Sequence, residues 1–277
     1  MTTFLTNPQR TTAVRLRGRS AIALVVVSLV GLMGFTWPLW VSGAGRGEGF
    51  AHATDAPWLF VILLPLLLAV VLAEISDGGM DAKAIALLGV LAACGAALRP
   101  LGTGTTGVEP VYFLLILSAR VLGRGFGFVL GALTLFASAL LTAGVGPWLP
   151  FQMLAAAWVG FFAGCLPPMR GRAEVWMLAA YGVVAGLCYG LIMNLWFWPF
   201  GAGIEVASNL AFDPQASLVT NLRHFLAFDL ATSLGYDIPR AATNLVLVLV
   251  AGRPVLGALR RAARRAAFDA PVEFKEA

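Results

Sequence analysis

The chain has 277 residues, of which 59% are apolar and only 12% are charged, and its formal net charge is +5. An ordinary soluble domain is about 45–50% apolar and about 25% charged. One core could not bury so much apolar surface, so the composition excludes a soluble enzyme, a nucleic-acid-binding protein and a disordered protein. It predicts an all-α polytopic membrane protein.

Eight apolar segments are predicted to be membrane-spanning helices, because crossing about 30 Å of hydrocarbon takes about 17–25 apolar residues. In chain order they are Ala21–Val41, Trp58–Ile75, Ala84–Leu98, Pro110–Val121, Phe126–Gly144, Pro150–Leu166, Val175–Phe200 and Ile238–Leu259. The fourth is short, and its junction with the fifth at Gly123 is tight. Between the last two spans, Leu218–Leu234 is predicted to form a surface helix, a re-entrant segment or a lid over a binding site.

The distribution of Lys and Arg predicts the orientation of the chain. With the N-terminus inside, 15 of the 19 basic residues fall on the inner side. The exceptions are Arg46, Arg99, Arg223 and Arg240. Since cytoplasmic segments are enriched in Lys and Arg, both termini are expected in the cytoplasm of a bacterial cell, with the protein in the cell membrane.

Several kinds of chemistry have no motif in this sequence. No Asp, Glu or Lys lies near the predicted bilayer centre, where charged residues usually mark ion pathways, so a proton- or sodium-coupled transporter is disfavoured. There is no GxxxxGK[ST] motif, so the chain is not expected to hydrolyse ATP by itself. We find no His pattern typical of a metal site and no clustered acid/base set, and we expect neither metal, cofactor nor enzymatic activity.

Polar and aromatic residues concentrate at the predicted outer helix ends. Because amides in the outer half of a span need partners, we expect Gln152, Asn194 and Asn244 to point inward and to satisfy one another or a ligand. Trp148 and Trp198 would form flat walls, although a Trp at this depth is also typical of the interfacial aromatic belt. The predicted substrate-binding residues are Glu109, Tyr112, Trp148, Gln152, Asn194, Trp198, Tyr236, Asp237, Arg240 and Asn244.

Small residues recur at every fourth position in the third, sixth and seventh spans, which permits close helix approach in lipid. In the sixth span they are Ala156, Gly160 and Gly164, and in the seventh Gly182, Gly186 and Gly190. In both we expect packing within the chain. In the third span the alanines cover more than one face, so that one face can remain for a partner.

Several of these segments together resemble the substrate-binding (S) component of energy-coupling factor (ECF) vitamin transporters. The resemblance rests on the alanine-rich helix Ala84–Leu98, Glu109–Leu117, Gly125–Gly131, Gly144–Leu154 leading into Gly160 and Gly164, and Asp237–Asn244 followed by an apolar run. It implies a six-helix core over residues 81–262, preceded by a basic N-terminus (1–20) and two additional helices (21–80), and followed by a cytoplasmic tail (263–277).

The resemblance also implies a function and partners. An S component captures a vitamin or vitamin precursor at the outer face and delivers it with a transmembrane T component and two ATP-binding subunits. The family's AxxxA contact with the T component would fall on Ala82 and Ala86 or on Ala92 and Ala96. Because the extra helices and the long last outer loop resemble the cobalamin-type members, a corrinoid is the first guess for the substrate.

Two alternative hypotheses remain at this stage. One is a membrane-embedded enzyme or assembly factor that acts on a lipid-soluble substrate. The other is a purely structural subunit, which would not need the polar and aromatic residues at the outer helix ends. Neither predicts a separate ATP-driven partner.

Overall fold

The computed structural model describes residues 18–36, 39, 61–62, 64–69, 71, 82–102, 106–200, 207, 209–213 and 215–266. These residues form helices and no strand, which confirms the all-α class. The helices are α1 (Gly18–Thr36), α2 (64–69), α3 (Ala82–Leu98), α4 (Val111–Leu122), α5 (Arg124–Leu141), α6 (Leu149–Cys165), α7 (Gly171–Phe200), α8 (Leu218–Thr232) and α9 (Leu234–Ala266).

Four stretches are long and apolar enough to cross a membrane: Ala82–Gly102, Arg124–Leu141, Gly171–Trp198 and Leu234–Arg265. Shorter apolar helices cover Ala21–Thr36, Val111–Leu122 and Leu149–Cys165. Half of the predicted second span, Trp58–Ile75, lies outside the described residues. A polytopic helical membrane protein is therefore supported, while the count of eight spans stays a prediction.

Helix α4 lies at the centre of the bundle. Every residue from Val111 to Ala119 is buried, and α4 contacts α3, α5, α6, α7 and α9. Its 12 residues measure only about 18 Å at about 1.5 Å per residue, less than the hydrocarbon thickness of about 30 Å. A helix that other helices surround does not need to match the lipid. Gly123, with φ of 100°, provides the tight connection to α5.

Close backbone contacts join α5 to α6 and α7 to α9. This confirms the packing within the chain that was predicted for the small residues of the sixth and seventh spans. In the first pair, Gly127 of α5 lies against Gly160 of α6 so closely that a Cβ on either would overlap the other's backbone. In the second, Gly186 and Gly190 of α7 lie against Ala241 and Asp237 of α9. The small-residue rows of these two spans therefore serve packing within the chain.

Helix α9 begins four residues earlier than predicted, at Leu234 instead of Ile238. Asp237 consequently lies inside the helix, where it is buried against Gly190, ten residues before the end of α7 at Phe200. The predicted start of this span at Ile238 is therefore wrong, and Asp237 lies in the first turn of α9 instead of in the preceding loop. A hydropathy pattern places this carboxylate in a loop because the pattern does not include the arginine that pairs with it.

The predicted first additional helix packs on the core as α1. The indole of Trp158 on α6 donates to the Ser28 hydroxyl at 3.0 Å, and the rings of Phe35 and Phe151 lie 4.9 Å apart. These pairs show that α1 runs antiparallel to α6.

Candidate functional site

A buried ionic network occupies the end of the bundle where α4 begins, and we call this end the acidic end (Glu109, Asp229, Asp237). Its centre is Arg240 of α9, which is buried. The guanidinium donates through Nε to Glu109 at 2.6 Å and through Nη1 to Asp237 at 2.5 Å. Glu109 stands before the first turn of α4, so this one arginine links α4 to α9.

Further groups complete the surroundings of Arg240. The Ser233 hydroxyl donates to the second oxygen of Asp237 at 2.6 Å. The guanidinium lies 5.2 Å from the ring centroid of Tyr189 on α7, in a cation–π arrangement, and that ring lies 4.8 Å from Tyr112 on α4. These contacts hold the arginine firmly. Breaking one of its two ion pairs would leave a carboxylate without its partner in a low-dielectric interior.

Helix α8 packs on the C-terminal part of α7 next to this network. Asn194 of α7 donates to Asp229 of α8 at 2.8 Å. Trp198 packs against Phe225 and Phe228, and its indole donates to the Leu210 carbonyl at 2.7 Å. Leu218–Leu234 is therefore helical over Leu218–Thr232, and the aromatic cluster around Trp198 and the Asn194–Asp229 hydrogen bond join this helix to α7.

The Asp229 carboxyl is perturbed by its position. Burial raises its pKa above the ordinary value, the hydrogen bond from Asn194 lowers it, and the nearby charge of Asp237 raises it, with a net upward result. Burial and the nearby charge of Asp237 therefore both favour the protonated form of Asp229.

The three predicted amides do not satisfy one another. Gln152 accepts from Arg99 at 2.9 Å, Asn194 donates to Asp229, and Asn244 donates to the Gly182 carbonyl at 3.1 Å. The carbonyl oxygen of the buried Asn244 has no hydrogen-bond partner among the described residues. Each amide therefore pairs with a different polar group and not with another amide. The spacing of residues in the sequence does not predict these partners.

The other predicted residues divide into two groups. Glu109, Tyr112, Asp237 and Arg240 come together around the guanidinium, and Trp198 lies behind α8. Trp148 is exposed and donates to the Gly144 carbonyl at 3.2 Å, and Tyr236 is exposed as well. Neither is part of the Arg240 network.

Sequence reasoning placed Asp229 among the polar residues at the outer helix ends but did not assign Tyr189 or Ser233 to the site. A tyrosine in the middle of an apolar span was a usable signal, because its hydroxyl needs a partner there. Asp229 meets Asn194 only once α8 is folded onto α7, whereas Ser233 contacts Asp237 four residues later at the start of α9.

A second network lies at the opposite end of the bundle, which we call the basic end (Arg120, Glu174, Arg260). The buried Glu174 of α7 accepts from Arg120 of α4 at 2.8 Å and from Arg260 of α9 at 2.7 Å. Arg120 also donates to the Leu166 carbonyl at 2.9 Å. Arginine–carboxylate contacts therefore join α4, α7 and α9 at the basic end. At the acidic end they join α4 to α9, and α7 contributes the ring of Tyr189.

The acidic end offers hydrogen-bonding, ionic and aromatic surfaces. Its carboxylates do not form a metal site: among the described residues, no three His, Cys, Asp or Glu side chains are grouped in a way that could hold a metal ion.

Comparisons with known proteins give no match for this chain. No family model matches it, no curated protein matches it, and no solved structure matches it.

Proposed function

We propose that the chain is the substrate-capture subunit of an ECF-type importer, which binds a vitamin or vitamin precursor at the acidic end. The observation that carries this proposal is the buried network around Arg240, built from α4, α7 and α9 and adjacent to α8. Ionisable groups inside membrane helices are expensive, and their presence favours a role beyond packing. Aromatic rings beside a few fixed polar groups suit a heteroaromatic or amide-rich solute such as a corrinoid.

The orientation supports capture from outside the cell. The basic end carries Arg120 and Arg260 as well as exposed arginines of α9 such as Arg264. The positive-inside rule would place this end in the cytoplasm and the acidic end outside. A solute that reaches the cell surface would then meet the Arg240 network first.

An importer of this type needs a partner that supplies energy, because the sequence has no nucleotide-binding motif. Helix α3 offers a face for the T component. Ala82 and Ala86 are exposed, and so are the small residues Gly89, Ala93 and Ala97, which continue the same stripe. Ala92 and Ala96 are buried inside the bundle. Of the two alanine pairs that the family resemblance suggests, we therefore assign the T-component contact to Ala82 and Ala86.

Proton-coupled transport is a second candidate, and one observation favours it. Asp237 is a buried carboxylate on a membrane-spanning helix that pairs with an arginine, and such groups also occur in proton relays. In this case the chain would transport without an ATPase.

Reconstitution of the purified chain distinguishes these candidates. Vesicles that contain the chain alone are given labelled cobalamin, cobinamide, thiamine or biotin, with and without an imposed pH gradient. We expect saturable binding of one vitamin without accumulation, and accumulation once a T component, ATP-binding subunits and ATP are added. Accumulation driven by the pH gradient alone would favour proton coupling, and the absence of binding in the whole panel would contradict vitamin capture.

A further inference from the structure

Helix α8 has an apolar face that no part of the described chain covers. Its buried side consists of Asn221, Phe225, Phe228 and Asp229. A separate stripe of large aliphatic side chains is exposed, with Leu226 at 53% and Leu230 at 62%. The members of this stripe, which we call the α8 stripe, are Leu218, Val219, Leu222, Leu226 and Leu230.

The geometry of α8 divides its surface into three sectors. At about 100° per residue, the α8 stripe covers an arc of about 120°, adjacent to the sector that packs on α7. The remaining sector carries the exposed Arg223 and Ala231 together with Thr220 and His224. A helix with one protein-facing, one aliphatic and one mildly polar sector is suited to a boundary between hydrocarbon and water.

The α8 stripe continues onto the neighbouring helix α9. Leu226 and Leu230 are followed at four-residue spacing by the exposed Leu234 and Ile238 of α9, and further along by the exposed Val246 and Val250. Since α9 is long and apolar enough to cross a membrane, these α9 residues face lipid. Exposed aliphatic side chains therefore recur at helical spacing on both sides of the junction between α8 and α9.

We propose that the α8 stripe is immersed in the interfacial region of the bilayer, so that α8 is a membrane-seated helix instead of a free surface helix or a re-entrant segment. The occupant of this face is the acyl-chain boundary of one leaflet. Because Asp229 contacts Asn194 and Ser233 contacts Asp237, a helix seated in lipid would hold both polar contacts of the acidic end in position. This inference does not depend on which solute, if any, the site binds.

Site-directed spin labelling measures the depth of α8 directly. In a background in which Cys94, Cys165 and Cys188 are replaced by alanine, single cysteines replace Leu222, Leu226 or Leu230. Each labelled full-length protein is placed in vesicles of phosphatidylcholine and phosphatidylglycerol, and its accessibility to oxygen is compared with that to a water-soluble nickel chelate. The matched controls are Arg223 and Ala231 on the polar sector and Val246 on α9.

We expect the oxygen-to-nickel accessibility ratio at the three stripe positions to be several-fold higher than at Arg223 and to approach that at Val246. A ratio at Leu226 equal to that at Arg223 would place the face in water and overturn the proposal. Low accessibility to both reagents would also overturn it, because a protein surface, such as a second copy of the chain, would then cover the stripe. Thermal unfolding of each labelled protein checks that the helix remains folded.

Discussion

Arg240 and Glu109 are 131 positions apart in the chain, yet the Nε of Arg240 donates to Glu109 at 2.6 Å. The contact fixes the start of the fully buried α4 against α9. At the other end of α4, Arg120 contacts Glu174 of α7. A carboxylate before the first turn and an arginine in the last turn both suit the dipole of α4, so the two networks favour the same helix orientation.

Replacing Arg240 should destabilise the protein strongly. In Arg240→Met, the carboxylates of Glu109 and Asp237 lose their common partner while they remain largely buried. Removing one member of a buried ion pair costs about 3–5 kcal/mol. Thermal unfolding in detergent measures this as a lower Tm. The matched control is Arg223→Met on the exposed side of α8, and an equal effect of both substitutions would contradict the role of Arg240.

At the basic end, the two arginines should be unequal. The Arg260 side chain is 43% exposed, whereas that of Arg120 is 7% exposed and has a backbone carbonyl as a further partner. Exposed ion pairs contribute about 0–1 kcal/mol. We expect Arg260→Ala to lower the Tm slightly and Arg120→Ala to lower it substantially. The reverse order would show that Arg260 carries the contact.

Alanine substitutions of glycines should show which glycines lie at helix contacts within the chain and which lie on an exposed surface. A Cβ on Gly160 would lie 2.1 Å from the Gly127 carbonyl oxygen, so Gly160→Ala forces α5 and α6 apart. Overpacking of this kind costs about 1–3 kcal/mol. Gly89→Ala meets nothing within 4 Å and should leave the Tm unchanged or raise it. A fall in the Tm of Gly89→Ala would mean that the chain itself covers this face of α3.

Replacing an exposed alanine of α3 by a large residue should have a different effect on folding from replacing a buried one. Ala86→Trp adds a large side chain on the exposed face, so the chain should fold and bind ligand normally but lose its partner. Ala92→Trp inserts the same side chain into the bundle and should reduce folding itself. Size-exclusion chromatography of the solitary chain and co-purification with the T component provide the two readouts. If Ala86→Trp retains full co-purification, the contact lies elsewhere.

The Asp229 carboxyl should make stability depend on pH. Because its native pKa is raised, folding favours the protonated form: this contribution is present below the ordinary pKa of 3.8 and is lost as the pH rises through the native pKa. Asp229→Asn keeps an oxygen that accepts from Asn194 and carries no charge. We expect this variant to be more stable than the unaltered chain at neutral pH and equally stable in acid. A difference in Tm that does not change with pH would contradict this assignment.

Sequence periodicity predicted the helices well and their ends less well. Length and apolar content are local properties, so the ends of Ala84–Leu98 and Val175–Phe200 match those of α3 and α7, while α3 begins two and α7 four residues earlier than predicted. The start of α9 was placed too late because Asp237 and Arg240 resemble a loop when their partners are unknown. Tertiary pairing neutralises both charges and lets the helix begin at Leu234.

The sequence predicted that polar residues gather at one end of the helices. It did not predict which of these residues contact one another. Glu109 and Arg240 were selected because charged groups at helix ends need an explanation, and they are in contact. The segment Leu218–Leu234 contains both aliphatic and aromatic residues. Phe225 and Phe228 do pack against Trp198, whereas Leu226 is exposed. Hydrophobicity alone does not distinguish a side chain that faces protein from one that faces lipid.

The short buried α4 has a consequence for biogenesis. With about 18 Å of length, α4 is a poor substrate for independent insertion by the translocation machinery, which favours segments that match the bilayer. Only Gly123 separates α4 from the longer α5. We therefore expect α4 and α5 to leave the translocon together as a helical hairpin, and α4 to exchange lipid for protein neighbours only after α6, α7 and α9 have been synthesised. The test uses nascent chains from which the helices preceding α4 are deleted. Those truncated after α4 should be extracted from membranes by alkaline carbonate. Those truncated after α5 should resist extraction.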